Sequence, residues 1–241
     1  MKEYQNYLFD LYGTLVDVHT DEDNMLLWQR MSILLGIEGI SAEPLILKER
    51  YFSGVSKREA GARKLRGKDA EIDIASIFAS FYEDAGIHPS NEDVARLAKI
   101  FRLLSLEKLR LFPGVPELMK RLKEQGKGIY LLSNAQALFT LPEISALGLE
   151  ALFDGILLSS CEGYKKPSKL FYEIALERFH LDPEETVMIG NDDQADCWGA
   201  SNAGLDSMYI FTEQSPKRTK PLPENCRELE CIGDVFKCHK G

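Results

Sequence analysis

The chain has 241 residues, 44% hydrophobic and 28% charged, with a formal net charge of −9. That length can bury a sizeable core, alone or with a smaller inserted unit, and the acidic balance argues against a general nucleic-acid binder. No run approaches the roughly 18 apolar residues that span a bilayer, so no membrane partner is expected. The polar start, Met1-Lys2-Glu3-Tyr4-Gln5-Asn6, lacks the pattern of a signal peptide, and a cytoplasmic location is the default expectation.

In chain order, Tyr7-Leu8-Phe9 reads as a short strand running into Asp10-Leu11-Tyr12-Gly13-Thr14. Residues 25–35, 75–85 and 92–104 then show helical periodicity, and Ser90-Asn91 offers an N-cap for the last of these. No strand is expected from 17 to 106, so this stretch reads as an all-helical insertion. Within it, residues 48–68 hold eight Lys or Arg against two Glu, a local charge of +6. Such a run is either a solvated helix face or a cap surface that draws in an anionic substrate.

The core pattern resumes at Phe112-Pro113-Gly114-Val115 with a helix at 115–124 and a strand at 128–132 closed by Ser133-Asn134. A strand at 155–158, a helix at 170–179, a strand at 186–189 running into Gly190-Asn191-Asp192-Asp193, and a strand at 208–211 complete it. Strands alternating with helices predict an α/β fold, a parallel Rossmann-like sheet flanked by helices. The expected division is a catalytic core of residues 1–16 plus 107–241 and a helical cap of residues 17–106.

The polar residues of interest fall just past the C-terminal ends of strands, where open α/β sheets bind ligands. Asp10 is placed there to act as a nucleophile. Ser133 and Asn134 offer a hydroxyl and an amide for anionic oxygens. Lys165-Lys166 before Pro167 offers a cation, and Asn191, Asp192, Asp193 and Asp196 gather oxygen ligands of the kind hard divalent cations take. Asp192 and Asp193 have a plainer alternative, as N-caps of the next helix. The cysteines Cys161, Cys197, Cys226, Cys231 and Cys238, even with His239, lack the paired spacing of a structural zinc site and read as reduced thiols.

Taken together, Phe9 to Leu15, Leu131-Leu132-Ser133-Asn134, Lys166-Pro167 and Ile189 to Ala200 resemble, in order, the four motifs of the haloacid dehalogenase superfamily. The helical insertion after the first motif is similar to the helical cap of one class of that family. The resemblance implies a hydrolase acting on a small, anionic molecule. Asp10 would form a covalent intermediate, and Thr14, Ser133 and Asn134 would bind the transferring group. Lys166 would offset the charge of that intermediate. Mg²⁺ would be held by Asp10, the Tyr12 carbonyl, and Asn191 or Asp192, with Asp196 in support.

Two departures matter. The family's phosphatases carry a second aspartate two residues after the nucleophile as general acid and base. Tyr12 stands there instead, as in the family's 2-haloacid dehalogenases, and Tyr172 also fits the dehalogenase pattern or simply packs in the core. Against this, the acidic residues after Gly190 favour a bound cation, which dehalogenases do not need, and Trp28 reads as a core residue rather than part of a halide-binding stretch. The expectation is Mg²⁺-dependent hydrolysis of a small phosphorylated metabolite. The alternatives are 2-haloacid dehalogenation and a catalytically degenerate protein that binds a phosphorylated ligand.

Overall fold

The structure, a computed structural model, describes residues 2–236. The earlier zinc question for Cys238 and His239 lies outside these residues. The described strands are β1 (Asn6–Phe9), β2 (Val16–Thr20), β3 (Leu106–Leu111), β4 (Gly128–Ser133), β5 (Gly155–Leu158), β6 (Thr186–Gly190), β7 (Asp206–Ile210) and β8 (Cys226–Leu229). The helices are α1 (Met25–Ile37), α2 (Pro44–Arg66), α3 (Ala75–Glu83), α4 (Asn91–Ser105), α5 (Val115–Glu124), α6 (Ala137–Ala146), α7 (Ser159–Glu162), α8 (Lys169–Arg178) and α9 (Gly199–Asn202). None of the described helices is long and apolar enough to cross a membrane.

Six strands form one parallel sheet in the order β5-β4-β1-β6-β7-β8. Central β1 is buried on both faces, which is why it reads as an unbroken apolar run rather than an alternating one. Successive side chains point to opposite faces. Tyr7 and Phe9 join a cluster with Val115, Leu118, Met119 and Leu122 of α5. Leu8 points the other way and packs with Phe171, Tyr172 and Ala175 of α8. The chain extends from β1 to β4 and β5 on one side and to β6, β7 and β8 on the other. The direction of winding therefore reverses beside β1, and the loops diverge at its C-terminal end.

Helices α1 to α4 gather their own aromatic core from Trp28, Tyr51, Phe78, Phe81 and Phe101, joined by Phe139 of α6. The ring centroids of Tyr51 and Phe101 lie 4.8 Å apart, a separation at which aromatic pairs add to simple burial. Trp28 is fully buried and its indole N–H donates to the Glu22 carbonyl, so it is a core residue. Helix α4 begins where the sequence signals it, at a Ser90–Asp93 capping box.

The expectation of no strand between 17 and 106 is corrected by the structure. Val16-Asp17-Val18-His19-Thr20 forms β2, paired antiparallel with β3 in a separate two-stranded sheet. The alternation of β-branched and polar side chains suits a half-exposed strand, but five residues are too few to set a period against the helical stretch that follows. The whole of α2, the α6 helix and the short β8 were also not anticipated as separate elements. In α2 the amphipathic pattern is obscured by the basic residues. Five of the eight cations in 48–68 are tied locally: Lys48 to Asp23, Arg50 to Asp84, Arg63 to Glu59, and Arg58 and Arg66 to the carbonyls of Ser76 and Glu71.

Candidate active site

Asp10 follows β1 at the point where the sheet's winding reverses, and its N–H still donates to the Ile189 carbonyl of β6 at 2.9 Å. The chain then turns sharply through Gly13, whose φ of +84° is readily adopted only without a side chain. A Cβ at Gly13 would also meet the Asn191 amide nitrogen at 2.3 Å, so the turn is packed directly on the loop after β6. This turn brings Thr14 back beneath Asp10.

The Asp10 carboxylate is held by three donors. Lys166 Nζ lies 2.8 Å from Oδ1, Ser133 Oγ donates to Oδ1 at 3.3 Å, and Thr14 Oγ1 donates to Oδ2 at 3.2 Å. Lys166 is only 3% exposed and makes a second ion pair, 2.7 Å from Asp196 Oδ1. Burial alone would depress the lysine's pKa, but the charges of Asp10 and Asp196 outweigh it and hold the ammonium above its ordinary range. Burial, reinforced by Asp10, pushes the Asp196 carboxyl up, against the pull of Lys166. The lysine is therefore a fixed cation in contact with two carboxylates.

Several supports keep this constellation rigid. The Asn134 side chain clamps the Lys166 backbone at both ends, donating to its carbonyl at 3.0 Å and accepting from its N–H at 2.7 Å. Asn134, expected to bind a transferring group, is thus committed to placing Lys166. Asp196 Oδ2 accepts from the Asp192 N–H at 3.0 Å, and a Cβ at Gly190 would collide with that carboxylate at 2.0 Å. Tyr172 is fully buried, and its hydroxyl donates to the Ala195 carbonyl at 2.7 Å beneath a π-helical turn at Asp193–Trp198. That hydroxyl does not hydrogen-bond Asp10, so the core alternative for Tyr172 is the one realised, with a positioning contact added.

Asp10, Tyr12, Ser133, Asn134, Lys166, Asn191, Asp192 and Asp196 line one cavity of about 190 Å³. A larger open groove of about 750 Å³ beside β2 and β3 holds neither Asp10 nor Lys166. None of the eight basic residues in 48–68 lines the cavity at Asp10. On the loop after β6, Asp192 Oδ1 accepts from the N–H groups of Gln194 and Ala195, so the N-cap alternative is realised for this oxygen. Asn191 accepts from Thr14 at 3.3 Å and donates to Thr212 at 3.4 Å. Among the described residues no cluster of three or more His, Cys, Asp or Glu is assembled as a metal cage. Of the three carboxylates at the cavity Asp196 is paired with Lys166, and the Asp10 and Asp192 carboxylates with the Asn191 amide suit Mg²⁺, an ion commonly held by one or two carboxylates with water completing its shell.

Tyr12 behaves differently from the other expected site residues. Its hydroxyl turns from Asp10 and donates to Glu143 Oε2 at 2.5 Å, with Thr140 Oγ1 at 3.1 Å. Arg102, at the end of α4, pairs with the same carboxylate at 2.5 Å and lies over the Tyr12 and Phe139 rings. Burial and then the Glu143 charge push the phenol's pKa well above its ordinary value, so it is a neutral donor. Glu143 and Arg102 were not legible as site residues. Neither lies in a motif, and Tyr12 and Glu143 are 131 residues apart.

A parallel α/β sheet with an aspartate at its reversal point, clamped by a buried lysine and two hydroxyls, forms a charged site at the sheet edge where open α/β folds bind ligands. The sequence profile of the haloacid dehalogenase-like hydrolases matches residues 4–204, and the chain belongs to that family. A glyceraldehyde 3-phosphate phosphatase of Methanothermobacter thermautotrophicus is 29% identical over 127 residues, covering 53% of this chain and 56% of that enzyme. This and the similar matches to other archaeal phosphatases span between 42% and 59% of those proteins' length. The pyrimidine 5′-nucleotidase PynA of Streptococcus pneumoniae is 25% identical over 98% of this chain and 94% of its own. Among solved structures, a 2-haloacid dehalogenase of Pseudomonas syringae superposes with a TM-score of 0.68 at 20% identity, covering 96% of each chain, which shows a shared fold.

Proposed function

We propose that the protein hydrolyses a small phosphorylated metabolite through a covalent intermediate on Asp10, with Mg²⁺ as cofactor. The observation that carries this reading is the Asp10 carboxylate fixed at the sheet's C-terminal edge by Lys166, Ser133 and Thr14. Nothing in that arrangement serves packing, since burying a Lys166–Asp196 pair in the core costs more than an apolar filling of the same volume.

In the proposed reaction an Asp10 oxygen attacks phosphorus in line, the bond to the leaving oxygen breaks, and an aspartyl phosphate forms. Lys166 stays protonated and offsets charge on the transferring oxygens. Ser133 and Thr14 turn their hydroxyl protons toward those oxygens as they leave Asp10. Asp10, the Tyr12 carbonyl and Asp192 or Asn191 would hold Mg²⁺, which when bound supplies further neutralisation of the phosphoryl charge. Water then attacks phosphorus and releases phosphate, restoring the Asp10 carboxylate. Tyr12 does not take the place of the missing general acid, because its hydroxyl is occupied by Glu143. The leaving group therefore departs with its proton supplied by water, which favours esters of acidic alcohols and phenols.

Tyr12 also favours a second reading, the displacement of halide from a 2-haloacid, where no leaving-group proton is needed. The two are separated by assaying p-nitrophenyl phosphate and 2-chloropropionate with purified protein and its Asp10→Asn variant. Phosphate release that is lost in Asp10→Asn supports the first. Chloride release without metal, and no phosphate release from any ester, overturns it.

A further inference from the structure

Beside the Asp10 cavity lies a second chamber of about 410 Å³, and Tyr12 and Asn134 line both. The two cavities meet at those two side chains. Its walls are largely aromatic or apolar, with Tyr51, Phe52, Val55, Ile74 and Phe139 on several sides. Its charged lining is unbalanced. Glu22 and Glu71 face it as carboxylates, and Arg102 is its one cation among the described lining residues.

That cation is already neutralised. Both Arg102 nitrogens that reach Glu143 do so on its two oxygens, at 2.5 and 3.3 Å. Glu71 is likewise engaged, accepting from the Ile72 N–H at 2.9 Å and from Ser159 Oγ at 3.0 Å. Glu22 is not. One of its oxygens accepts from the Tyr51 hydroxyl at 3.2 Å, and no described cation comes within ion-pair distance. Burial pushes its carboxyl upward, helped by the Asp23 charge and opposed by the Tyr51 hydrogen bond and by the Arg102 charge acting from beyond ion-pair distance.

We infer that the substrate is an organic monophosphate whose leaving part is flat and apolar, carries no second anion, and presents an ammonium, N–H or O–H donor to Glu22. The inference rests on the phosphohydrolase reading above and adds the chemistry of the leaving group to it. A second phosphate or a carboxylate in the chamber would face Glu22 and Glu71 with no unpaired cation to receive it. A donor would complete the hydrogen bonding of Glu22, and an aromatic body would lie against Tyr51 and Phe139. Glu22 is half-buried and holds one hydrogen bond, from Tyr51, so a ligand donor at its other oxygen discriminates between ligands that differ by that donor.

Two aryl monophosphates of nearly equal phenol acidity provide the test, the phosphate esters of tyramine and of 4-hydroxyphenylacetate, with p-nitrophenyl phosphate alongside. Wild-type kcat/KM is expected to be at least tenfold higher for the ammonium ester than for the carboxylate ester. Glu22→Gln is expected to narrow that ratio at least threefold, and Glu22→Lys to reverse it. Turnover of p-nitrophenyl phosphate together with equal rates on the two esters, or preference for the carboxylate, overturns the inference and leaves the phosphohydrolase reading standing. Failure to hydrolyse any of the three overturns both. The wild-type ratio decides the matter even if neither Glu22 variant folds.

Discussion

Glu143→Ala is the sharpest probe of how the helical unit is fixed to the catalytic sheet. Glu143 receives Arg102 from α4 and Tyr12 from the loop that carries Asp10, so one carboxylate joins three elements. The Arg102 and Glu143 side chains are 14% and 7% exposed. Removing one partner of a buried ion pair leaves an uncompensated charge and costs about 3–5 kcal/mol. For a chain of this size about 2–4 °C of melting temperature accompanies each kcal/mol, so Glu143→Ala should melt about 6–20 °C lower by circular dichroism. Arg102→Met should cost less, about 1–3 kcal/mol, because Glu143 keeps the Tyr12 hydroxyl as a donor. Combining Arg102→Met with Glu143→Leu should recover much of the loss, giving a coupling energy above roughly 1 kcal/mol in a double-mutant cycle. A loss below about 1 kcal/mol for Glu143→Ala, or additive behaviour in the cycle, would show that the three-way contact contributes nothing to stability.

Three further outcomes are expected. Tyr12→Asp should supply a general acid and raise kcat for alkyl phosphates by about tenfold or more, with little gain for p-nitrophenyl phosphate; equal gains on both would refute a protonation role. Activity should be lost in chelator and return with Mg²⁺, and metal-independent turnover would refute the proposed ligand set. Burial alone would raise the Asp17 pKa, but hydrogen bonds and charge from Arg110 and Lys108 hold it below the ordinary value. An acid depressed in the folded state stabilises above its unfolded pKa of about 3.9 and loses that contribution as the pH falls through the folded value. Asp17→Asn should therefore melt below wild type at pH 7, with the gap narrowing as the pH falls below about 3.9, whereas a gap that does not change with pH would point to packing instead.

Much of the candidate site's membership was readable because its signals are local, and the residues meet at one cavity. Asp10, Ser133 and Asn191 each follow an apolar run, and a residue at the end of a strand is placed by the strand itself. Asp192 marks the limit of that method. A carboxylate two residues past a strand serves equally as an N-cap or as a metal ligand, and only the bonds to Gln194 and Ala195 reveal the cap. Asn134 has the same character, since its clamp on Lys166 depends on a loop that arrives 32 residues later. Strand β2 escaped notice because its pairing partner lies beyond four helices, and a strand that short is defined by its partner more than by its own composition. Glu22 and Glu143 were invisible for a related reason, as charged residues in amphipathic surroundings acquire meaning only from what faces them.

The paired strands β2 and β3 carry a consequence for how this enzyme changes over generations. The chain leaves for α1 and returns from α4 on neighbouring strands, with Thr20 set opposite Leu106. Everything that walls the second chamber from above is thus spliced in at a single narrow neck, and a hairpin loop of two to five residues would rejoin the ends. The strand order of the parallel sheet and the Asp10–Lys166 contact are built from residues outside the segment beyond that neck. A change beyond the neck therefore alters walls of the second chamber without altering the residues that make that contact.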